Sequence, residues 1–423
     1  MKTYRRIIFC FIVISFIFSS GTVWGKPLEM AKKPEDLGFS SERLAFIDKT
    51  LASYIEKGII PGATILIGRN GKIAYFKTYG MQDKENKMPM KKDTIFRIYS
   101  MSKPITAFGI MMLWEEGKFI LPDSVSKFLP ELKGLKVGVE KKDPQTGNAT
   151  LELVPCNREM FIYDLLRQTS GMVYEMPWFG KNLVQQKWAE AKIWDENETL
   201  AEATTKLAKL PLLFQPGTRW NYSRSNALLG RLIEVLSGQP LDRYLEDRIF
   251  KPLDMKDSGF WVKPENQDRL AQPPKNPRTG KPQDMLDVSK SPKFLAGGEG
   301  MVATPMDYAR FALMLLKGGS LDGVRILGPK TVAYMTSDHL GSIPGYWFPG
   351  NGYGLGFGVR VMPGTNAMTG SVGDYYWMGS GGSYFLVDPK EDMFVVFMMN
   401  DMERSGVDNG NLIRSLVYQA LKK

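Results

Sequence analysis

"IYSMSKPITAF" (residues 98–108) opens an apolar helix and carries Ser100 three positions before Lys103. Side chains three residues apart on a helix share one face, with Cβ atoms about 5–6 Å apart. The positive end of the helix dipole disfavours an ammonium and favours developing negative charge. A lysine that is neutral for part of the time can therefore accept the proton of the serine hydroxyl. Pro104 fits an early helical position, which needs no backbone donor.

Spacing alone does not single out this pair, because Ser124 and Lys127 have the same separation. Ser124 follows a Pro-Asp step and precedes the short segment FLPEL, a pattern that predicts the exposed start of a helix. Ser100 instead lies between the largely apolar segments TIFRIY and PITAFGIMMLW, which predicts burial, and buried polar groups need partners. Two interpretations of Ser100 remain. It is either a nucleophile activated by Lys103 or a helix cap beside a lysine that reaches solvent.

Strand patterns occur near both ends of the chain. ATILIG and KIAYFKTYG flank Asn70-Gly71, a dipeptide typical of a two-residue hairpin, and YFLV and MFVVFMM flank a second turn at 388–392. Periodic apolar residues predict helices at 42–58, 104–117, 160–168, 199–209, 225–237, 240–249, 306–319 and about 409–422. We therefore expect an α+β fold in which both chain ends build one antiparallel sheet, with terminal helices packed on it and a mainly helical insert. Polar or Pro-rich composition predicts surface segments at 136–150 and 262–293.

The first 25 residues have the pattern of a secretory signal peptide. Lys2, Arg5 and Arg6 precede the apolar run at 7–18, and SSGTVWG supplies small residues for cleavage after Gly25. We expect an exported protein, periplasmic or secreted, or a membrane-tethered one if the segment is not cleaved. Cleavage would remove three positive charges and lower the formal net charge from +10 to +7, and would leave no integral membrane domain.

Composition also excludes several kinds of site. The basic residues are scattered rather than concentrated in a stripe, so we expect no nucleic-acid partner. Cys10 lies in the signal segment, which leaves Cys156 alone and unable to form an internal disulfide. One histidine and one cysteine cannot supply the usual nitrogen and sulfur ligands, so we expect no metal and no cofactor. His339 lies in a polar loop, and the chain lacks the Gly-x-Ser-x-Gly elbow of the α/β-hydrolases.

Several segments, taken in order, resemble the serine β-lactamase and penicillin-binding protein superfamily, and in particular its esterase-like branch of family VIII carboxylesterases and class C β-lactamase relatives. These segments are SMSK (100–103), LLRQTSGM (165–172), GTRWNYSRSNALLGRLIEVLSGQPL (217–241), GGEGMVATPMDYARFALMLLKGG (297–319) and YFLVDPKEDMFVVFM (384–398). The resemblance runs from about residue 38 to the end. It implies a β-lactamase-like fold for residues 26–423, with an α/β part at about 38–97 and 300–423 and a mainly helical part at about 98–299.

The resemblance also implies an acid–base set. Ser100 corresponds to the nucleophile and Lys103 to its proton acceptor. Tyr222, in WNYSRS, matches the family tyrosine that shares the acid–base work. A phenol near a lysine has its phenolate form favoured, and a phenolate can take the serine proton.

A further family element, a Lys-Thr-Gly on an edge strand, corresponds here to Trp377, Met378 and Gly379. The resemblance places these three residues against the substrate, with Gly379 allowing close approach of the strand backbone. It also implies that the N–H groups of Ser100 and Ser380 form the oxyanion hole.

Two departures from the family pattern concern the substrate. Arg224 stands where the β-lactamases often have the asparagine of Tyr-x-Asn, and Asn226 is nearby but out of register. Trp377 and Met378 cannot provide the charge and hydroxyl of Lys-Thr-Gly that hold a β-lactam carboxylate. Loss of a charged donor costs roughly 1.5–3 kcal/mol, or one to two decades in affinity. We therefore expect poor penicillin hydrolysis and an uncharged small-molecule ester or amide as substrate.

The sequence supports three functional hypotheses. The first is an exported serine carboxylesterase that works through an acyl-enzyme. The second is a β-lactamase or a D-alanyl-D-alanine carboxypeptidase-like enzyme, based on the same serine–lysine pair. The third is an inactive penicillin-binding-like scaffold, based on the missing Tyr-x-Asn register and the missing Lys-Thr-Gly lysine. Oligomeric state is left open by the sequence.

Overall fold

The computed structural model describes residues 26–176, 180, 182–193, 195–365, 367–403 and 408–422. The signal peptide predicted for residues 1–25 lies outside the described residues. Within them no helix has the length and apolarity needed to cross a membrane.

The described chain combines fourteen strands with ten helices. The strands are β1 (Gly62–Arg69), β2 (Lys72–Asp83), β3 (Met88–Pro89), β4 (Phe96–Arg97), β5 (Lys136–Lys142), β6 (Ala149–Pro155), β7 (Val302–Ala303), β8 (Ser320–Leu321), β9 (Val324–Arg325), β10 (Asn351–Tyr353), β11 (Gly358–Arg360), β12 (Tyr375–Met378), β13 (Tyr384–Asp388) and β14 (Met393–Met398). The helices are α1 (Ser41–Glu56), α2 (Ser102–Glu115), α3 (Ile162–Leu166), α4 (Leu183–Glu190), α5 (Leu200–Leu207), α6 (Ser225–Ser237), α7 (Leu241–Leu245), α8 (Pro305–Leu316), α9 (Pro329–Met335) and α10 (Asn409–Tyr418).

Eight strands form one antiparallel sheet in the order β10-β11-β12-β13-β14-β1-β2-β3. The two chain ends meet at its centre, where β1 pairs with β14 from Thr64 opposite Met398 to Arg69 opposite Met393. Asn70 and Gly71 both have positive φ, which is the backbone of a two-residue hairpin turn between β1 and β2. The predicted α+β fold with a sheet built from both chain ends is confirmed.

The two faces of the sheet carry different layers, because successive strand residues point to opposite sides. In β14, Phe394 and Val396 belong to the large core that includes α2 and α8. Val395 and Phe397 belong to a second core that includes residues of α1 and α10. The β-rich ends of the chain are thus covered by helices on both faces.

Helix α2 lies in the middle of the molecule, and every residue from Ser102 to Leu113 is buried. A helix that is apolar all round is expected to be buried on all sides. It packs along α6 and against α8, where the rings of Phe108 and Phe311 meet edge to face at 5.6 Å. The first turn of α2 is therefore held rigidly from several directions.

The sequence prediction differs from the structure mainly in detail. Residues 136–150, predicted as a surface excursion, are exposed apart from Val137 and Gly138, but they belong to the hairpin β5–β6. The helix predicted at 240–249 is α7 continued by a π-turn at Glu246–Phe250. Residues 262–293 are largely irregular, with a 3₁₀ turn at Pro264–Arg269.

Candidate active site

Ser100 lies in a 3₁₀ turn, Tyr99–Met101, immediately before α2. Tyr99 has φ 43°, a left-handed conformation that costs a non-glycine residue of order 1–3 kcal/mol and persists only when its surroundings impose it. Tyr99 is buried, Ser100 is half-buried and Lys103 is fully buried. The alternative interpretation, in which Lys103 reaches solvent, is therefore wrong.

A short two-stranded sheet brings a second segment to this turn. β4, just before the turn, pairs with β7 in antiparallel register, with Arg97 opposite Val302. The Ile98 N–H donates to the Met301 carbonyl at 3.0 Å, and the Met301 N–H donates to Ser102 Oγ at 3.2 Å. As a result, Gly298 and Glu299 lie beside the first turn of α2.

Within the described part of the chain, Lys103 Nζ has three partners within hydrogen-bond distance. They are Ser100 Oγ at 3.0 Å, the Tyr174 hydroxyl at 3.0 Å and the Gly298 carbonyl oxygen at 2.8 Å. The carboxylate of Glu299 lies slightly further away, at 3.7 Å. The predicted nucleophile and proton acceptor are thus in direct contact.

The roles of these partners follow from their donor and acceptor capacity. The Gly298 carbonyl can only accept. The Tyr174 hydroxyl donates its single proton to Glu299 Oε2 at 3.0 Å, so it accepts from Lys103. A neutral amine has two N–H donors and one lone pair. A lysine in that form, with both donors taken by Tyr174 and Gly298, would direct its lone pair at Ser100 Oγ.

Tyr174 itself is suited to remain protonated. Burial, with the charge of Glu299 and the proximity of Tyr222 adding to it, raises the pKa of Tyr174 well above its ordinary value. Its ring lies 5.2 Å from the ring of Tyr222, and Lys103 Nζ lies above both rings, 5.4 Å from the first centroid and 4.6 Å from the second. Tyr174 acts as a neutral hydrogen-bond partner, and Tyr222 is the second phenol at the lysine.

Arg224 is a second cation beside Glu299. Its guanidinium is buried and binds two carboxylates, Glu175 (Nε to Oε2, 3.0 Å) and Glu299. Burial alone would lower the pKa of Arg224, but these carboxylates outweigh burial and raise the pKa above its ordinary value. Arg224 is therefore a fixed positive charge, which shares Glu299 with Lys103 and Tyr174.

The end of β12 lies next to the Ser100 turn. β11 pairs with β12 at Tyr375 and Tyr376. Further along β12, at Trp377 and Met378, one edge of the strand pairs with β13 and the other edge faces the Ser100 turn. A Cβ on Gly379 would lie 2.5 Å from the Ile98 carbonyl oxygen. Gly379 is thus needed for contact between β12 and the turn itself, whereas the sequence analysis assigned its close approach to the substrate.

The side chains of Trp377 and Met378, both predicted to contact substrate, lie on opposite faces of the sheet. Trp377 is buried, with its ring centroid 5.6 Å from that of Tyr222. Met378 points the other way and packs against the core that includes α1 and α10. Ser380 follows Gly379 and is exposed. The geometry brings Trp377 to the site and leaves the Met378 side chain away from it.

His339 and the Ser124–Lys127 pair, the other candidate reactive groups, form hydrogen bonds or ion pairs within the fold. His339 uses Nδ1 with the Tyr163 hydroxyl and Nε2 with the Tyr334 carbonyl, both at 2.7 Å, and burial lowers its pKa. Ser124 caps a 3₁₀ turn through the Ser126 N–H, and Lys127 is exposed and paired with Asp123. Ser124 thus stands at the start of a helical turn, as predicted, but it is half-buried, and of this pair Lys127 is the exposed member.

Sequence reasoning missed Tyr174, Glu175, Glu299 and Trp347 as site residues. Glu299 had a visible signal, because it is an acidic residue within GGEGM, a glycine-rich segment of otherwise uncharged residues. Trp347 had none. It lies in the loop before β10, is 44% exposed, and its ring centroid is 5.0 Å from that of Tyr222.

Comparison with known proteins identifies the family of this chain. The family model described as Beta-lactamase matches residues 47–418. An uncharacterised protein of Mycobacterium tuberculosis is 30% identical over 376 residues, which cover 85% of this chain and 90% of that one. Esterase EstB of Burkholderia gladioli is 30% identical over 216 residues, 51% of each chain. EstCE1, described as a hydrolase with promiscuous acyltransferase activity, superposes with a TM-score of 0.74 at 26% identity, over 89% of this chain and 99% of the other. The chain therefore belongs to the beta-lactamase family of serine hydrolases.

Proposed function

We propose that this protein is a carboxylesterase that works through an acyl-enzyme on Ser100. The observation that carries the proposal is the position of Lys103. It is fully buried, and two of its three close partners, Gly298 and Tyr174, can take both N–H donors of a neutral amine. Its lone pair then faces Ser100 Oγ at 3.0 Å, which is within reach for proton transfer.

The reaction proceeds in two halves. Ser100 Oγ attacks the ester carbonyl carbon while its proton passes to Lys103, and the negative oxygen is held by the N–H groups of Ser100 and Ser380. The intermediate collapses with loss of the alcohol, which takes the proton back through Lys103 and Tyr222. Water then attacks the acyl-serine with the same groups acting in reverse, and releases the acid and Ser100.

The surroundings of the pair favour an uncharged substrate. Trp377, Tyr222 and Trp347 form an aromatic wall, with Trp377 where the family's β-lactam-binding lysine would stand. An aromatic wall supplies apolar contact to an ester and no charge for a carboxylate. The relatives support the same substrate class, since one is named an esterase and another a hydrolase with acyltransferase activity.

A panel of short-chain nitrophenyl esters tests the proposal. The purified mature protein should release a burst of nitrophenol, and Ser100→Ala should abolish it. Ser124→Ala is the matched control, because Ser124 has the same spacing to a lysine but that lysine, Lys127, is exposed, and the variant should keep full activity. Unchanged turnover in Ser100→Ala would reject the proposal.

Two further measurements separate the alternatives. A chromogenic cephalosporin and intact-mass analysis with penicillin report on β-lactamase or peptidase-like chemistry, for which rapid hydrolysis or a stable adduct is the positive result. Inertness toward esters, amides, lactams and a fluorophosphonate probe would instead favour a non-catalytic scaffold.

We also propose that the protein is exported, on the basis of the charged and apolar pattern of residues 1–25. N-terminal sequencing of the protein from cell fractions is expected to begin after Gly25 in the periplasm or medium. An intact Met1 in the membrane fraction would indicate a tether, and an intact Met1 in the cytoplasm would reject export.

A further inference from the structure

We propose that Arg224 and Glu299 are positioning residues that together set the pH at which Lys103 becomes a competent proton acceptor. Glu299 holds the lysine in place, and Arg224 limits how strongly that carboxylate retains the lysine proton. The inference rests on the proposed function of Lys103. It assigns a role to the arginine that replaces the asparagine of the family's Tyr-x-Asn.

Glu299 is the acidic group near Lys103. Its carboxylate lies 3.7 Å from Lys103 Nζ and also accepts from Tyr174, which in turn accepts from Lys103. An opposite charge at this distance in a poorly hydrated site favours the ammonium form. Left unopposed, Glu299 would therefore keep Lys103 protonated and prevent it from accepting the proton of Ser100.

Arg224 is the opposing cation at this carboxylate. It is buried and binds Oε1 of Glu299, whereas Lys103 lies near Oε2, and it also binds Glu175. Its carbon Cζ lies 4.8 Å from the Tyr174 ring centroid, so it faces the same phenol as Lys103. By sharing the negative charge of Glu299, Arg224 weakens the attraction that this carboxylate exerts on the lysine proton.

Among the described groups around Lys103 Nζ, Glu299 and Arg224 are the dominant charges. Ser100, Tyr174 and the Gly298 carbonyl are neutral hydrogen-bond partners, and Tyr222 presents its ring. With Lys103 neutral, the two carboxylates and Arg224 carry a net charge of −1. With Lys103 protonated, the cluster is neutral. Removal of either Arg224 or Glu299 therefore changes the balance in a known direction.

The pH profile of kcat/KM for nitrophenyl ester hydrolysis tests the proposal. Activity should fall on the acidic side as Lys103 becomes protonated. Glu299→Gln removes the charge that favours the ammonium, so the acidic midpoint should move down by about 1–3 pH units. Arg224→Gln removes the opposing charge, so the midpoint should move up, by about one unit. A merely structural role would lower activity without shifts of opposite sign.

Controls keep the test interpretable. Arg224→Lys retains the positive charge and should restore the midpoint toward that of wild type. Arg243→Gln is the matched surface variant, since Arg243 is exposed and pairs with Glu246, and it should cause no shift. If Arg224→Gln does not fold, the double variant with Glu175→Gln removes both charges of that ion pair, and its midpoint should still move up, because Glu299 then acts on Lys103 without an opposing cation.

A measurement without substrate separates this inference from the proposed function. The ¹³C chemical shift of the Lys103 ε-carbon, followed with pH in the Ser100→Ala background, should show the same opposite displacements. If these displacements are seen but the protein with Ser100 intact hydrolyses no ester, the charge relationship is supported and the esterase proposal is rejected. Active enzyme whose two variants shift in the same direction, or not at all, would overturn the roles of Arg224 and Glu299 alone.

Discussion

Replacement of Gly379 by alanine should disable the site through one methyl group. The new Cβ would lie 2.5 Å from the Ile98 carbonyl oxygen and 3.5 Å from Tyr99 Cβ, both of which belong to the segment leading into Ser100. Gly379 does not have positive φ, so the effect is one of space rather than of backbone conformation. The contact involves a backbone atom, which cannot swing aside as the end of a flexible side chain can.

The magnitude follows from the distances. Ordinary contact begins at 3.4 Å, so β12 and the Ser100 turn must separate by about 0.9 Å. A displacement of about 1 Å between reacting groups costs about 100-fold in rate, or about 2.7 kcal/mol in the activation barrier. Overpacking of this kind also costs about 1–3 kcal/mol in the free energy of unfolding.

The assay is kcat/KM with a nitrophenyl ester, measured beside urea unfolding of the same preparation. Gly259→Ala is the matched control, because the added Cβ would have the Trp261 carbonyl oxygen as its nearest neighbour, at 3.9 Å, and Gly259, like Gly379, does not have a positive φ. It should leave both quantities unchanged. A folded Gly379→Ala with wild-type turnover would refute the reasoning that Gly379 sets the distance between β12 and Ser100.

Three more predictions concern other parts of the structure. Trp347→Ala should lower kcat/KM for a naphthyl ester by about 2–10-fold, because one aromatic contact contributes about 0.5–1.5 kcal/mol. The kcat/KM for nitrophenyl acetate should fall less, and Trp347→Phe should restore the kcat/KM for the naphthyl ester. Asp374 is buried between Arg360 and Arg414 (2.7 Å from Arg414 Nη1), so Asp374→Ala should cost about 3–5 kcal/mol in urea unfolding, and no loss would contradict a structural ion pair. Burial raises the pKa of Asp307 to about 7. Because the pKa of Asp307 is higher in the folded protein than in the unfolded chain, its contribution to the free energy of unfolding is complete below pH about 4 and is lost as the pH rises toward 7. Relative to Asp307→Asn, the free energy of unfolding of the wild type should therefore fall by about 1.4 kcal/mol per pH unit in this range. Parallel stability curves for the two proteins would exclude this titration.

Local sequence signals predicted the parts of the fold that local physics determines. Asn70-Gly71 predicted the β1–β2 turn because both residues tolerate positive φ. The apolar stretch after Lys103 predicted α2 and its burial. The surface hairpin β5–β6 was missed because its many charged residues and its Pro and Gly hide the alternation of a strand.

The candidate site was predictable only where its residues are neighbours in sequence. Ser100 and Lys103 are one helical turn apart, so spacing alone brings them together. Tyr174, Arg224 and Glu299 come from three distant segments that meet through the α2–α6 packing and the β4–β7 pairing. Such long-range contacts leave no periodic signal in a single sequence, although the family resemblance did direct attention to the segments that contain Arg224 and Glu299.

The pairing of β1 with β14 also affects how the chain can fold. Thr64 and Met398 are neighbours in the sheet but roughly 330 positions apart in the chain, a high contact order of the kind that slows folding. Until Met393–Met398 has left the ribosome, one edge of the hairpin formed by β1 and β2 stays open to other strands. A chain terminated before residue 393 would keep that open edge permanently, so truncated products should aggregate rather than accumulate as smaller folded proteins.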